Sequence, residues 1–434
     1  MKKGSDFDNL RRKLLGNIET REARICVLGL GYVGLPLALS FGEANFRVTG
    51  IDVDGQIVER LNRGISHVTD ISSKRLKALP KGMLQFSKEF SEVKNCDVVI
   101  VCVPTPLGKT REPDLSFVVN ATQAISRHLC PGMLVLLEST TYPGTTEEIV
   151  RPLLEEANLK TGEDFFLAFS PERIDPGRQD FTLVNTPKVV GGVTPECTEA
   201  AVHLYKQIVE RVVPVTSTGA AEMVKLLENT YRAVNIALVN EVAIMCDRLK
   251  LDVWEVVEAA ATKPFGFMPF TPGPGVGGHC IPLDPHYLSW KLKTLDYKAR
   301  FIELAGEINA AMPAYWVRKV QDSLNSVEKS VKGSNIVIVG VAYKKDIDDV
   351  RESPALDIIA LLQQMGAEVL YVDPYVLSIR ADGIEMKRKE NVKEALKLAD
   401  CAVIVTNHTA FDWEMIASES KIIVDTRDVV RHVR

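Results

Sequence analysis

The stretch Arg24-Ile-Cys-Val-Leu-Gly-Leu-Gly-Tyr-Val-Gly34 decides the fold. Its first half is a short apolar run that ends in a glycine turn, the pattern of a buried strand. A helical pattern follows over residues 35–44. Gly29 permits the tight turn, Gly31 lets the backbone approach a pyrophosphate, and Gly34 lets helix and strand pack closely. Tyr32 and Val33 complete the turn, and the helix start offers free N–H groups and a positive dipole end to phosphate. A bare Gly-x-Gly-x-x-Gly is weak, and a glycine turn without ligand would read the same. Here Asp52 closes the next strand, Arg47-Val-Thr-Gly-Ile-Asp52, where it can accept a ribose 2′-OH. A 2′-phosphate in that place would face like charge, costing about 4 kcal/mol at ~4 Å and an effective dielectric of ~20. No arginine follows Asp52 to offset this, so NAD is expected rather than NADP.

Outward from that motif the alternation continues. Asp97–Val103, Met133–Glu138 and Phe165–Phe169 read as further strands, so parallel βαβ units and a doubly wound sheet are expected. Residues 219–250 contain no proline and no internal glycine. Met223, Leu226, Leu227, Tyr231, Val234, Leu238, Val242 and Met245 mark one broad apolar face of a helix long enough to join two domains and to supply a dimer surface. Further helices are expected at about 252–261 and 301–325, around a loop rich in Pro and Gly at 264–285. Asn335-Ile-Val-Ile-Val-Gly340, Glu368–Asp373 and Ala402–Thr406 then repeat the order of the first unit. The fold class expected is therefore α/β, with two Rossmann-like doubly wound domains joined by a long central helix and a helical dimerisation region. The divisions are a helical arm at 1–22, a dinucleotide domain at 23–215, a central helical region at 216–325 and a second Rossmann-like domain at 326–434. The last lacks the full glycine fingerprint.

A chain of 434 residues with 46% hydrophobic side chains can bury several cores. Its net charge of -5 argues against a general nucleic-acid or anionic-membrane surface. No apolar stretch reaches the length of a membrane span, and the charged first twenty residues lack the apolar core of a secretory signal. A cytoplasmic location is expected. The eight cysteines are scattered without a CxxC pair, so no disulfide framework is expected. Cys26, Cys102 and Cys246 read as small buried apolar residues.

Cys280 has different neighbours. Gly277-Gly-His-Cys-Ile-Pro-Leu-Asp284 sets a cysteine beside two glycines that let a ligand approach the backbone. Such a thiol can attack a carbonyl. A zinc site from His279, Cys280 and His286 is an alternative with no further His or Cys cluster behind it, and no metal is expected. Lys225 and Asn229 lie four apart on one face of the long helix. The plain alternative is a solvated helix face with Lys225 beside Glu222 and Glu228.

Taken together these segments resemble the UDP-glucose/GDP-mannose dehydrogenase family from about residue 24 to 427. The resemblance rests on Gly29–Pro36, Val103-Pro-Thr-Pro106, Ser139-Thr-Thr-Tyr-Pro-Gly144, Ser170-Pro-Glu-Arg173, Glu222–Asn229, Gly277–Asp284 and Gly340-Val-Ala-Tyr-Lys-Lys-Asp346. It implies NAD-dependent oxidation of a nucleotide-sugar C6 alcohol to a carboxylate through a thiohemiacetal and a thioester on Cys280. It implies that Lys225 stabilises the C6 oxyanion with help from Asn229. Asp284 would orient Lys225 and a water, Thr141 would position water, and Glu172 would be the base for thioester hydrolysis. Pro104, Thr105, Thr141 and Arg351 would join Gly29, Gly31, Tyr32, Val33, Gly34 and Asp52 around the cofactor. Glu172, Arg173, Lys225, Asn229, Phe270, Gly275, Gly277, Lys345 and Arg427 would contact the UDP-sugar. Phe265 and Phe267 read equally as packing. A homodimer or larger homo-oligomer is implied, with no nucleic-acid or membrane partner.

Two departures bear on the sugar. Pro176 stands where glucose-type members often carry a second glutamate, and no arginine lies between Lys263 and His279. Ser-Pro-Glu-Arg and Gly-Gly-His-Cys resemble the branch acting on N-acetylated amino sugars. UDP-N-acetylglucosamine is therefore expected first, then UDP-N-acetylmannosamine, with UDP-glucose behind. A hydroxyacid dehydrogenase, which needs no catalytic cysteine, is the rival enzyme; an NAD-sensing protein without turnover is the rival of another class.

Overall fold

The computed structural model describes residues 2–68, 71–108, 112–174, 180–278, 280–381, 383–431 and 433, with side chains from residue 6 onward. By compactness the chain divides into one unit of residues 1–228 and 293–295 and another of 229–292 and 296–434.

The first unit carries strands β1 (Arg24–Leu28), β2 (Arg47–Ile51), β3 (Leu84–Ser87), β4 (Val98–Val101), β5 (Leu134–Leu137), β6 (Phe166–Phe169), β7 (Lys188–Gly192) and β8 (Val212–Pro214). They form one sheet in the order β3-β2-β1-β4-β5-β6-β7-β8. The first six are parallel, and β7 then runs antiparallel to β6. The chain reverses direction of travel between β1 and β4, so a crevice opens there beyond the carboxyl ends of the strands. The near-continuous apolar runs follow from burial on both faces. Ile25, Val27, Val98, Ile100, Leu134 and Leu136 pack into one core, and Cys26, Leu28, Val99, Val101, Val135 and Leu137 into the other. That alternation is the period-2 geometry of a pleated strand. Helix α1 (Lys2–Glu19) closes the first core: Leu14 and Ile18 are buried, and Phe7 stacks on Phe166 with ring centroids 4.8 Å apart. The charged arm is thus a packing element of this unit.

Helix α2 (Gly34–Glu43) follows β1 directly, and α3 (Thr218–Leu249) is the long helix, whose residues up to Glu228 count with the first unit. Met223, Leu227, Tyr231, Val234, Leu238, Val242 and Met245 fall within about 100° around this helix, with Leu226 at the margin of that face. Leu226 is fully buried, while Met223, Leu227, Tyr231, Leu238 and Met245 are exposed.

The second unit continues with α4 (Val253–Ala261), α5 (Asp284–Lys293) and α6 (Arg300–Asn325). Strands β9 (Asn335–Val339), β10 (Glu368–Val372), β13 (Cys401–Ile404) and β14 (Ile423–Asp425) form a parallel sheet in the order β10-β9-β13-β14. The short hairpin β11 (Ser378–Ala381) and β12 (Ile384–Lys387) stands apart from it. The expected internal repeat is present: β9, β10 and β13 occupy the places of β1, β2 and β4. Among the described residues no helix is long and apolar enough to cross a membrane.

Candidate active site

In the first unit the glycine turn is built for a close ligand. Gly29 has φ +87°, and a Cβ there would lie 2.6 Å from the Cys102 carbonyl oxygen. A Cβ on Gly34 would lie 1.8 Å from the Gly29 oxygen, whereas one on Gly31 meets nothing within 4 Å. Two glycines are thus needed for packing, and the third leaves open space in front of the backbone. Val33 caps α2 without a side-chain hydrogen bond; the Leu35 N–H is taken by the Gly31 carbonyl at 3.1 Å and Pro36 has no N–H, which leaves the Gly34 N–H at the helix start to face a phosphate. Asp52 accepts from the Leu30 N–H at 2.9 Å and the Asp54 N–H at 3.0 Å and is half-buried. Open space at Gly31, an uncapped helix start and the acidic strand end fit a dinucleotide. Tyr32 is 40% exposed at the turn, and Pro104 and Thr105 follow β4 into the same crevice edge.

Thr141 lies on the loop after β5. It is buried, and its hydroxyl has no hydrogen-bond partner among the described residues. An orphan hydroxyl in that position fits a bound water or ligand group.

Glu172 is partly buried after β6. Its Oε1 accepts the backbone N–H groups of Arg173 and Ile174, both at 2.6 Å, and its Oε2 lies 3.3 Å from the Lys188 ammonium. Burial pushes its carboxyl up, but Lys188, the Ile174 N–H, Lys225 and the Arg173 N–H together hold it below the usual range. Lys188 itself is buried between two carboxylates. It donates to Glu138 at 2.9 Å, and Glu138 accepts from the buried Tyr205 hydroxyl. Burial opposes the Lys188 charge, yet Glu138 and Glu172 push its pKa up to about 12. Arg173 pairs with Glu228 at 2.5 Å and donates to the Pro187 carbonyl at 2.6 Å.

The plain reading of the Lys225 helix face does not hold. Glu222 is buried and accepts from the Gly144 N–H at 2.6 Å and from Thr146 N–H and Oγ1 at 2.9 and 2.7 Å. Glu228 is taken by Arg173. Lys225 therefore has no ion-pair partner among the described residues, and its charge acts on Glu172.

In the second unit Asp284 is buried at the first residue of α5 and accepts from the buried Asn229 amide, one helical turn beyond Lys225 on α3. Its N–H donates to the Cys280 carbonyl at 2.7 Å, fixing the cysteine just upstream of the helix. Cys280 and Cys130 are partly exposed, and the other six cysteines are buried. The glycines before Cys280 are close-packed. A Cβ on Gly277 would lie 2.6 Å from the Glu352 oxygen, and one on Gly278 2.8 Å from the Tyr343 ring. Gly275 passes the carbonyl of Asn309, which Pro313 cannot bond within α6 because it has no N–H. His279, and with it the zinc alternative, lies outside the described residues, as does Pro176. Among the described residues no three His, Cys, Asp or Glu side chains are grouped to hold a metal ion.

Arg427 is partly buried, donates to the Val405 carbonyl at 2.9 Å, and would sit 2.8 Å from a Cβ on Gly273. Burial lowers its pKa to about 10 against the opposing pull of Asp425. It has no salt bridge among the described residues, which suits an anionic ligand group. Lys345 is exposed, and Arg351 is held by Asp349 at 2.6 Å. Phe270 packs edge-on against Tyr231 at 6.0 Å, while Phe265 and Phe267 are exposed. Sequence reasoning missed Lys188, Glu138 and Tyr205. The only available signal was a lysine opening an apolar strand and a glutamate ending another.

Three family models match the chain. They describe the NAD binding domain (residues 23–209), the central domain (219–311) and the UDP binding domain (337–432) of the UDP-glucose/GDP-mannose dehydrogenase family. The UDP-N-acetyl-D-mannosamine dehydrogenase of Pyrococcus horikoshii is 36% identical over 94% of this chain and 96% of its own. The UDP-N-acetyl-D-glucosamine 6-dehydrogenase of Pseudomonas aeruginosa is 37% identical over 82% and 84%. A solved structure of the Pyrococcus horikoshii UDP-D-ManNAc dehydrogenase superposes with a TM-score of 0.85 at 36% identity, covering 93% of this chain and 95% of that one.

Proposed function

The chain belongs to the UDP-glucose/GDP-mannose dehydrogenase family, and on that premise we propose that it oxidises the C6 hydroxymethyl of a UDP-N-acetylhexosamine to the carboxylate through Cys280. The observation that carries the covalent step is the setting of Cys280. It is a partly exposed cysteine behind two close-packed glycines, its backbone carbonyl held by the Asp284 N–H. When bound, NAD supplies the hydride acceptor for each oxidation. Lys225, without an ion-pair partner among the described residues, stabilises the C6 oxyanion. Asn229 and Asp284 hold one another and the turn that carries the thiol. The thiolate of Cys280 adds to the aldehyde carbon to give a thiohemiacetal, which loses hydride and becomes a thioester. Glu172, kept ionised by its surroundings, takes a proton from the water that displaces the thiolate, with Thr141 placing that water. Over the whole sequence two hydrides and three protons leave, and water supplies the second carboxylate oxygen. In the second unit Arg427, Lys345 and the backbone at Gly275 and Gly277 serve the nucleotide diphosphate. Arg351 and Phe270 are the remaining proposed contacts.

UDP-N-acetylglucosamine is the sugar the motifs point to. UDP-N-acetylmannosamine is the second reading, favoured by the fuller coverage of the mannosamine relative. A panel of UDP-N-acetylhexosamines, UDP-glucose and a hydroxyacid is expected to yield two NADH per sugar and a uronic acid with an N-acetylated substrate. One NADH per molecule, or turnover with the hydroxyacid alone, defeats the proposal.

The exposed stripe Met223, Leu227, Tyr231, Leu238 and Met245 is larger than scattered surface apolar residues account for. A second copy of the chain is its proposed occupant. Leu227→Glu combined with Leu238→Lys is expected to convert a dimer into a monomer by light scattering. An unchanged mass for the double variant would place the interface elsewhere.

A further inference from the structure

The two Rossmann-like units each place an aspartate at the end of the second strand, and the two carboxylates have different neighbours. Asp52 accepts two backbone N–H groups and keeps an open side. Asp373, after β10, is buried. It accepts from the N–H groups of Val341 (2.7 Å), Tyr375 (2.8 Å) and Val376 (2.9 Å), and its Oδ2 also meets His408 Nε2 at 3.0 Å. His408, beyond β13, is fully buried. Its Nδ1 accepts the Asp346 backbone N–H at 2.9 Å. A nitrogen that accepts cannot carry the proton, so the ring is the neutral Nε2–H tautomer and donates to Asp373. The imidazole thus fills the capacity that Asp52 keeps for a ribose hydroxyl, which closes this corner to a dinucleotide.

The other side of His408 leads to the glycines that precede Cys280. Asp346 has φ +63°, and its carboxylate accepts from Thr409 N–H and Oγ1, both at 2.8 Å. The turn at residues 343–346 is therefore stapled to His408 and Thr409. Its first residue, Tyr343, lies with its Cβ 2.7 Å from a Cβ position on Gly277 and its ring 2.8 Å from one on Gly278. Its third, Lys345, is exposed. We propose that His408 is a positioning residue for the nucleotide sugar: by accepting the Asp346 N–H it holds the turn that walls the Gly277–Gly278 approach to Cys280 and presents Lys345 to the diphosphate. This rests on the reading that the second unit binds the substrate.

The test compares His408→Leu, His408→Asn and His408→Gln. Asn restores an acceptor near the Nδ1 position, and Gln a donor near the Nε2 position. His408→Leu is expected to raise KM for the nucleotide sugar by about tenfold or more, because it removes both buried hydrogen bonds of the ring and with them the hold on the turn. KM for NAD should stay unchanged. Asn should recover most of the loss and Gln little. An unchanged sugar KM in the Leu variant, equal increases for both substrates, or rescue by Gln and not by Asn overturns the proposal. If the Leu variant does not fold, the Asn and Gln pair decides. Should the wild type reduce no NAD with any nucleotide sugar, the functional reading falls, and UDP affinity by calorimetry across the same variants still reads the positioning.

Discussion

Replacing Cys280 by alanine is expected to lower uronate formation by more than about 10³-fold, the scale on which removal of a covalent nucleophile acts. NAD affinity should be unaffected, because the glycine turn, the uncapped helix start and Asp52 all belong to the first unit. The first oxidation does not need the sulfur. The variant should therefore release at most one NADH per sugar and leave an aldehyde that a carbonyl reagent captures. The wild type should release two NADH and leave none. None of the buried cysteines can substitute for Cys280. Cys130, the other partly exposed one, provides the control, and Cys130→Ala should keep full activity. Wild-type uronate formation by Cys280→Ala would remove the thioester from the scheme and return the chain to a dehydrogenase without a covalent step.

The fold was legible where the pattern was periodic. The apolar runs of β1, β4 and β5 alternate between two cores, and burial on both faces writes that directly into the composition. The glycine fingerprint was legible because Gly29 and Gly34 each answer a separate steric demand while Gly31 leaves open space before the backbone. The strand β7 was not. Two of its five residues are glycines, which hide its strand character, and Gly191 is there because the Ser217 carbonyl would lie 2.0 Å from any Cβ. The long helix was found within a residue at each end. Sequence gives the period of its apolar face; whether that face is covered depends on partners that leave no local signature.

The candidate site shows the same division. Cys280, Asp284 and Asn229 could be named because their motifs carry unusual local chemistry. The partners of Glu222 and Glu172 could not, because pairing in space has no local signature. Glu222 sits among helix residues like any solvated carboxylate, yet it ties the Gly144–Thr146 turn to α3. His408 was equally hidden: a lone histidine after an apolar strand has no pattern until Asp373 and Asp346 are seen against it.

Lys188→Met is expected to lower unfolding free energy near neutral pH by about 3–5 kcal/mol, since it leaves a buried carboxylate without its cation. Glu138 is fully buried, and once Lys188 is gone only the Tyr205 hydroxyl among the described residues bonds its side chain. The pH dependence follows from the three groups. The Lys188 pKa is raised from 10.5 to about 12, so its contribution is complete below 10.5 and fades as pH rises through 12. Glu172 is lowered from 4.5, so its contribution is present above that value and is lost as pH falls through the folded one. Glu138 is raised by burial even against the pull of Lys188, so its ionisation already subtracts stability as pH rises. Without Lys188 its pKa climbs further. The deficit of the variant should thus be largest at neutral and alkaline pH and shrink on acidification, once Glu138 is protonated at no cost. Denaturant unfolding at about pH 8 and about pH 5 measures this directly. Adding Glu138→Gln should restore most of the loss, because a neutral pair needs no buried counter-charge. A deficit of equal size at both pH values, or a double variant no better than the single one, would mean that the ion pair does not carry the effect. The chemistry offers an independent reading. Glu172 loses its nearest cation, so the acid limb of uronate formation should move to higher pH in Lys188→Met.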